Sequence, residues 1–101
     1  MSKAIVIIPT YNEAENLPIT IEKLADIFIN IKNWQMQILV VDDSSPDGTA
    51  AVVKQLQKKY SFLKLLVNEK KAGLGSAYLK GMDQAFNNLN ADLVFEFDAD
   101  L

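Results

Sequence analysis

The chain has 101 residues, half of them hydrophobic, a formal net charge of -3, and no cysteine or histidine. This length fits one small domain, and the mildly acidic balance argues against nonspecific nucleic-acid binding, which needs a basic surface. The absent residue types exclude disulfides, zinc-thiolate sites, Ser-His-Asp triads and imidazole bases. Any chemistry must therefore come from carboxylates, lysines, hydroxyls, backbone groups or a hard metal ion.

Short apolar runs alternate with helical patterns along the chain. The runs predict four strands, at residues 4–8, 38–41, 63–67 and 93–97. Apolar residues spaced three and four positions apart predict three intervening helices, within residues 17–31, 52–60 and 74–89. This β-α-β-α-β-α-β order predicts an α/β fold with a Rossmann-like, mostly parallel sheet flanked by helices and buried on both faces. Ligands of such sheets bind beyond the carboxyl ends of the strands.

The amino-terminal apolar run, residues 4–8, is too short for a signal peptide and is stopped by Pro9. No segment reaches the roughly 20 apolar residues of a membrane span. We therefore expect a cytoplasmic location, with membrane association in a longer form of the protein.

The segment "PTYNEAEN" (9–16) follows the first strand. Asn12 is interpreted as the N-cap of the first helix, with Glu13 and Glu15 in a first turn that favours negative charge. This interpretation leaves Tyr11 unexplained. A tyrosine at a ligand-facing turn can lie flat on a nucleobase, where stacking contributes about 1–3 kcal/mol.

The segment "DDSSPDGT" (42–49) follows the second strand. Its Ser-Pro-Asp-Gly portion is typical of a turn that starts a helix. Asp42 and Asp43 need a further explanation, because adjacent side chains on a strand point to opposite faces. One carboxylate is expected to cap the local backbone, and the other to face the ligand crevice and accept a hydrogen bond from a base or ribose.

The segment "NEKKAGLGSA" (68–77) follows the third strand. Gly73 and Gly75 permit close backbone approach, and the helix N–H groups that they open could face a phosphate. Lys70 and Lys71 add positive charge. An ordinary surface loop remains an equally good explanation of this segment.

Asp98 and Asp100 follow the fourth strand, and residues two apart on extended chain share a face. Two carboxylates on one face repel unless a cation accompanies them. Oxygen ligands suit Mg²⁺ or Mn²⁺, which proteins often bind through one or two carboxylates plus substrate phosphates. The pair therefore predicts a metal clamp for a diphosphate. Glu96 alternates onto the same face and is hypothesised to tune the surroundings of Asp98.

Four motifs, "IPTYNEAENLP", "VVDDSSPDGT", "GLGSAYLKGM" and "FEFDADL", resemble family 2 glycosyltransferases of the GT-A fold, and among these the polyprenyl-phosphate (dolichol-phosphate) mannose synthases. The resemblance covers the whole chain. It implies that residues 1–101 are the N-terminal, nucleotide-sugar-binding half of a GT-A domain, truncated after the Asp-x-Asp motif and inactive by itself. It further implies metal-dependent transfer of mannose from GDP-mannose, with inversion, to a polyprenyl phosphate at the membrane surface.

The resemblance also implies a set of site residues. Those expected to bind the nucleotide are Pro9, Tyr11, Glu13, Asp42, Asp43, Gly73 and Asp98. Tyr11 lies against the base, and Asp43 contacts the base or ribose, with Asp42 as the alternative. Asp98 and Asp100 are the expected catalytic residues and metal ligands, Asp100 being the principal one. A phosphate acceptor is already anionic, so the missing histidine causes no difficulty.

Two other functions remain open at this point. One is a family 2 glycosyltransferase that uses a UDP-sugar. The other is a non-catalytic, receiver-like binding module, which would carry its acidic pair after the first strand and a phosphoacceptor aspartate after the third. Here those strands end in Pro9-Thr10 and Asn68-Glu69, which argues against the module. A P-loop enzyme is excluded because no G-x-x-x-x-G-K-[ST] segment occurs.

Overall fold

The computed structural model describes residues 1–69 and 73–99. Their strands are β1 (Ser2–Thr10), β2 (Trp34–Asp42), β3 (Leu63–Val67) and β4 (Leu93–Glu96). These strands form one sheet in the order β3-β2-β1-β4, and every neighbouring pair is parallel. The predicted α/β class with a parallel sheet is confirmed. Because β2 and β4 lie on opposite sides of β1, the strand order reverses at β1, where open α/β sheets bind ligands.

The helices of the described residues are α1 (Leu17–Phe28), α2 (Thr49–Leu56) and α3 (Leu74–Asp83), and a π-helical turn (Gln84–Asn88) continues α3. The first helix ends earlier than the apolar spacing predicted, because the N–H groups of Asn30 and Ile31 bond three residues back, at 3.1 and 3.0 Å. None of the helices in these residues combines the length and apolar character needed to cross a membrane.

The apolar core lies on both faces of the sheet. The α1-side cluster consists of Val6, Ile8, Leu17, Ile21, Leu24, Ile38, Val40, Val53, Leu63 and Ala99. The α3-side cluster consists of Ile5, Ile7, Leu39, Val41, Ala77 and Ala85. Successive residues of β1 and β2 alternate between the two clusters, as the period of two in a strand requires. The predicted burial on both faces is therefore confirmed for these two central strands.

Helix α3 approaches the sheet most closely at Gly81. A Cβ atom at this position would lie 2.9 Å from Ile7 Cγ2 and 3.0 Å from Val41 Cγ2, inside normal contact distance. The absence of a side chain at Gly81 therefore sets the depth at which α3 packs on the α3-side cluster.

The expected cap at Asn12 is wrong. Helix α1 begins at Leu17, with Asn16 in the N-cap position and no acidic residue in its first turn. Asn12 instead has a φ of 57°, a left-handed conformation that asparagine tolerates. The chain passes through a further turn, closed by the Leu17 N–H and the Glu13 carbonyl at 2.9 Å, before the helix starts. Pro18 suits the first turn because its φ is preset.

Strand β4 also differs from expectation, since its apolar residues are not buried on both faces. Leu93 and Phe95 are 40% and 46% exposed. The reason is position: among the described strands β4 lies at an edge of the sheet and pairs with β1 alone.

Candidate active site at the carboxyl edge of the sheet

The residues that follow the four strands lie along one edge of the sheet. The register pairs Thr10 with Asp42, and Asp42 with Val67, so β1, β2 and β3 end side by side. Strand β4 runs parallel to β1 and reaches the same edge through Glu96, the partner of Ile7. The predicted site segments therefore approach each other at the edge where parallel sheets bind ligands.

The carboxylate of Asp42 is occupied by neighbouring protein groups. Its Oδ1 accepts hydrogen bonds from the Thr10 hydroxyl at 2.8 Å and the Ser45 hydroxyl at 2.6 Å, and its Oδ2 accepts one from the Ser45 N–H at 3.1 Å. The residue is 1% exposed. Asp42 therefore caps the backbone of its own turn, at the Ser45 N–H.

Asp43 points toward the β3–α3 connection instead. Its Oδ2 accepts a hydrogen bond from the Gly73 N–H at 3.0 Å, and its Oδ1 accepts a longer one from Asn68 Nδ2 at 3.4 Å. Gly73 has a φ of 92°, in the region where glycine is favoured. The Gly73 N–H thus donates to Asp43, and Asp43 connects the end of β2 with the start of α3.

Asn68 is a buried residue of this edge that the sequence reasoning did not select. Its N–H donates to the Asp42 carbonyl at 2.8 Å, its side chain donates to Asp43, and its own carbonyl accepts a hydrogen bond from the Ser44 hydroxyl. Its position directly after a predicted strand was the available signal. Asn68 joins the ends of β2 and β3, so it supports the acidic pair.

The loop that carries Tyr11 is held by the loop after β2. Three consecutive backbone N–H groups donate to side-chain oxygens there, namely Asn12 to Ser45 Oγ (2.9 Å), Glu13 to Thr49 Oγ1 (3.1 Å) and Ala14 to Asp47 Oδ2 (3.2 Å). Pro9 is buried at the base of the loop, Glu13 is half-buried, and Tyr11 is 39% exposed. The "DDSSPDGT" segment therefore supports the loop that presents the tyrosine ring at the edge.

Asp47 makes this loop attachment dependent on pH. The Thr49 hydroxyl is the main cause that holds the pKa of Asp47 below its ordinary value of 3.8, and the N–H groups of Ala14 and Thr49 add to the effect. Because the folded pKa is lowered, the stabilisation is present above pH 3.8 and is lost as the pH falls through the folded pKa.

We expect Asp47→Asn to lower the free energy of unfolding at neutral pH and to differ less from the wild type in acid. Urea titrations of both proteins between pH 7 and pH 3 would measure this convergence. A stability difference that stays constant over the whole range would contradict the role of the Asp47 charge.

Asp98 and Glu96 both lie near Tyr78 of α3. Burial is the main cause that raises the pKa of Tyr78, and the charges of Asp98 and Glu96 raise it further. The phenol is therefore protonated at neutral pH. This common neighbour agrees with the predicted alternation of Glu96 and Asp98 onto one face.

The Asp98 carboxylate can supply oxygen ligands to a divalent cation. Asp98 is exposed at the edge, and its oxygens are the hard ligands that Mg²⁺ and Mn²⁺ prefer. Asp100 lies outside the described residues, within which no cluster of three or more acidic, histidine or cysteine side chains could hold a metal. A cation shared with substrate phosphates is commonly bound through one or two protein carboxylates.

Comparison with known proteins assigns the family. Residues 5–101 match the model of Glycosyl transferase family 2. The chain belongs to this family. The family predicted from the four motifs is thus confirmed.

Individual relatives add detail. The chain is 42% identical to "Polyprenol monophosphomannose synthase" from Mycolicibacterium smegmatis, over 97% of its own length and 35% of that relative. Its fold resembles a Pyrobaculum calidifontis mannosyltransferase solved with GDP-Man and Mn²⁺ (TM-score 0.69, 29% identity, 96% of this chain and 27% of that one). It also resembles S. aureus TarS solved with UDP-GlcNAc (TM-score 0.77, 27% identity, 99% and 27%). The chain therefore spans about a third of the length of the curated relative.

Proposed function

We propose that this chain is the nucleotide-sugar-binding half of the GT-A domain of a glycosyltransferase that moves mannose from GDP-mannose to a polyprenyl phosphate, with inversion at the anomeric carbon. The observation that carries the proposal is the 42% identity to a polyprenol monophosphomannose synthase over 97% of the chain. The neighbour solved with GDP-Man and Mn²⁺ supports the same donor and a divalent metal.

In this proposal, the nucleoside lies between the ends of β1 and β2. Tyr11, exposed on its supported loop, stacks on the base beside Pro9 and Glu13. Asp43 accepts a hydrogen bond from the base or ribose. Asp42 stabilises the loop after β2 by accepting hydrogen bonds from Ser45. Gly73 orients Asp43 by donating its N–H to that carboxylate.

The donor diphosphate lies toward β4. Asp98 and Asp100 would hold Mg²⁺ or Mn²⁺ there, and a bound cation supplies Lewis-acid stabilisation of the leaving diphosphate. The chain needs no strong base, because a phosphate acceptor is anionic at neutral pH.

In this proposal, the binding site for the polyprenyl-phosphate acceptor is formed by regions outside these residues. We propose that binding of a lipid phosphate at the membrane surface, and turnover itself, depend on regions like those found in the longer relatives. These 101 residues are then expected to bind the donor nucleotide without transferring mannose. Mannosyl transfer to a polyprenyl phosphate by this chain alone would contradict that part of the proposal.

Thermal melting with GDP, UDP or ADP, each with and without Mn²⁺ or Mg²⁺, tests the donor site. A ligand that binds only the folded state stabilises it, by about 2.7 kcal/mol at 100 times its Kd. We expect the largest rise in Tm with GDP plus metal, and loss of that rise in Asp98→Asn/Asp100→Asn. The control is Asp26→Asn/Asp83→Asn, which removes two exposed carboxylates from α1 and α3.

A UDP-sugar donor is the second candidate, favoured by the similarity to the structure with UDP-GlcNAc. A larger rise with UDP than with GDP would overturn the mannose assignment and keep the family. A folded chain that responds to no nucleotide would overturn the proposed donor site.

A further inference from the structure

We infer that Thr20 of α1 is a positioning residue for Asp98. This inference rests on the proposed function, because it concerns the carboxylate that would bind the metal. It adds a residue from the first helix, outside the four sequence motifs, to the parts that build the site.

The direct observation is a buried hydrogen bond. The Thr20 hydroxyl donates to the backbone carbonyl of Ala99, which lies 79 positions later in the chain. Thr20 is 2% exposed and Ala99 is 4% exposed. A buried carbonyl needs a donor, and a helical threonine hydroxyl ordinarily bonds within its own helix or faces solvent. Here it leaves α1 to bind the residue directly after Asp98.

Asp98 is consequently held on both sides through the backbone. Before it, the Phe97 N–H donates to the Ile7 carbonyl of β1 at 3.0 Å. After it, the Ala99 carbonyl is bonded to Thr20. The side chains of Phe97 and Ala99 both pack in the α1-side cluster, whereas Asp98 is exposed. These two anchors turn the Asp98 carboxylate away from the core and toward the edge of the sheet.

The residue type at position 20 is specific for this contact. Valine has nearly the same shape as threonine but lacks the hydroxyl, so it fills the space without holding the Ala99 carbonyl. Serine keeps the hydroxyl and loses only a methyl group. The two substitutions therefore separate the hydrogen bond from the packing of Thr20.

Calorimetric titration of GDP, with and without Mn²⁺, tests the inference. Thr20→Val is expected to lower the Mn²⁺-dependent affinity about tenfold or more, the usual cost of losing a group that orients a metal ligand. Its affinity for GDP without metal should stay as in the wild type. Thr20→Ser should restore the metal-dependent part. Thr20→Ala is measured in parallel, since it removes the hydroxyl without adding bulk.

Ile38→Val is the matched control. Ile38 belongs to the same cluster but pairs with Val6 and Leu63, four residues before the end of β2, so its loss of a methyl group lowers stability and removes no hydrogen bond to Ala99. Equal losses of metal-dependent affinity in this control and in Thr20→Val would overturn the positioning role.

The controls separate the two levels of the proposal. One outcome would overturn the inference and leave the proposed function standing. In it, Asp98→Asn abolishes the metal-dependent binding of GDP, whereas Thr20→Val and Thr20→Ala keep that binding at the wild-type level. A folded wild-type chain with no metal-dependent binding would overturn the proposed function, and the inference with it.

Discussion

Gly81→Ala is expected to destabilise the protein relative to Gly75→Ala by about 1–3 kcal/mol, the usual cost of overpacking a core. Both glycines lie in α3, but only at Gly81 would the new methyl group meet the sheet, 2.9 Å from Ile7 Cγ2 and 3.0 Å from Val41 Cγ2. Both contacts are with β-branched side chains in central strands, which have little freedom to move aside.

Gly75 is the matched control because a methyl group there would meet nothing within 4 Å outside its own stretch of helix, and its φ is ordinary. Alanine there should raise stability, since replacing a helical glycine gains up to about 1 kcal/mol. Urea denaturation monitored by circular dichroism would give both values. Equal stabilities of the two variants would show that α3 can move outward without loss.

Asp42→Ala is expected to lower the free energy of unfolding by at least about 2 kcal/mol, because it removes the acceptor of three buried or half-buried donors, and each donor left unpaired costs about 1–3 kcal/mol. These donors are the Thr10 hydroxyl, the Ser45 hydroxyl and the Ser45 N–H. The loss should also loosen the loop that carries Tyr11, which Ser45 supports through the Asn12 N–H.

Asp26→Ala is the control, since this exposed residue of α1 should change stability by less than about 0.5 kcal/mol. Asp43→Asn is a second comparison, because the proposal gives Asp43 the contact with the ligand. The free energy of nucleotide binding should change more in this variant than the free energy of unfolding. If Asp42→Ala kept full stability and lost nucleotide binding, the roles of the two adjacent aspartates would be exchanged.

The parts of the fold that follow from local periodicity were predictable from the sequence. The alternation of apolar runs and helical spacing indicated the parallel sheet, and with it the common edge where Tyr11, Asp43 and Asp98 occur. The lone apolar run at 93–97 could not show that β4 lies at an edge, because exposure of Leu93 and Phe95 depends on which strands lie beside them.

The structural role of each residue within the site was less predictable from the sequence. One aspartate of the pair was expected to cap the backbone, but both accept a backbone N–H, Asp42 from nearby Ser45 and Asp43 from distant Gly73. Asn68 and Thr20 act through backbone groups of distant segments. Residue type alone does not reveal such partners, so these two residues needed the structure.

The strand order has a consequence for how the protein assembles during synthesis. Strands β1, β2 and β3 pair with sequential neighbours and can form once residues 2–67 have been made. Strand β4 must add to the far side of β1, a contact across 89 positions in the case of the Lys3 N–H and the Asp92 carboxylate. Such distant pairings close late because the loop entropy must be overcome first. We therefore expect the nascent chain to build the Tyr11 and Asp43 side of the site first, and to gain metal binding only when its fourth strand docks.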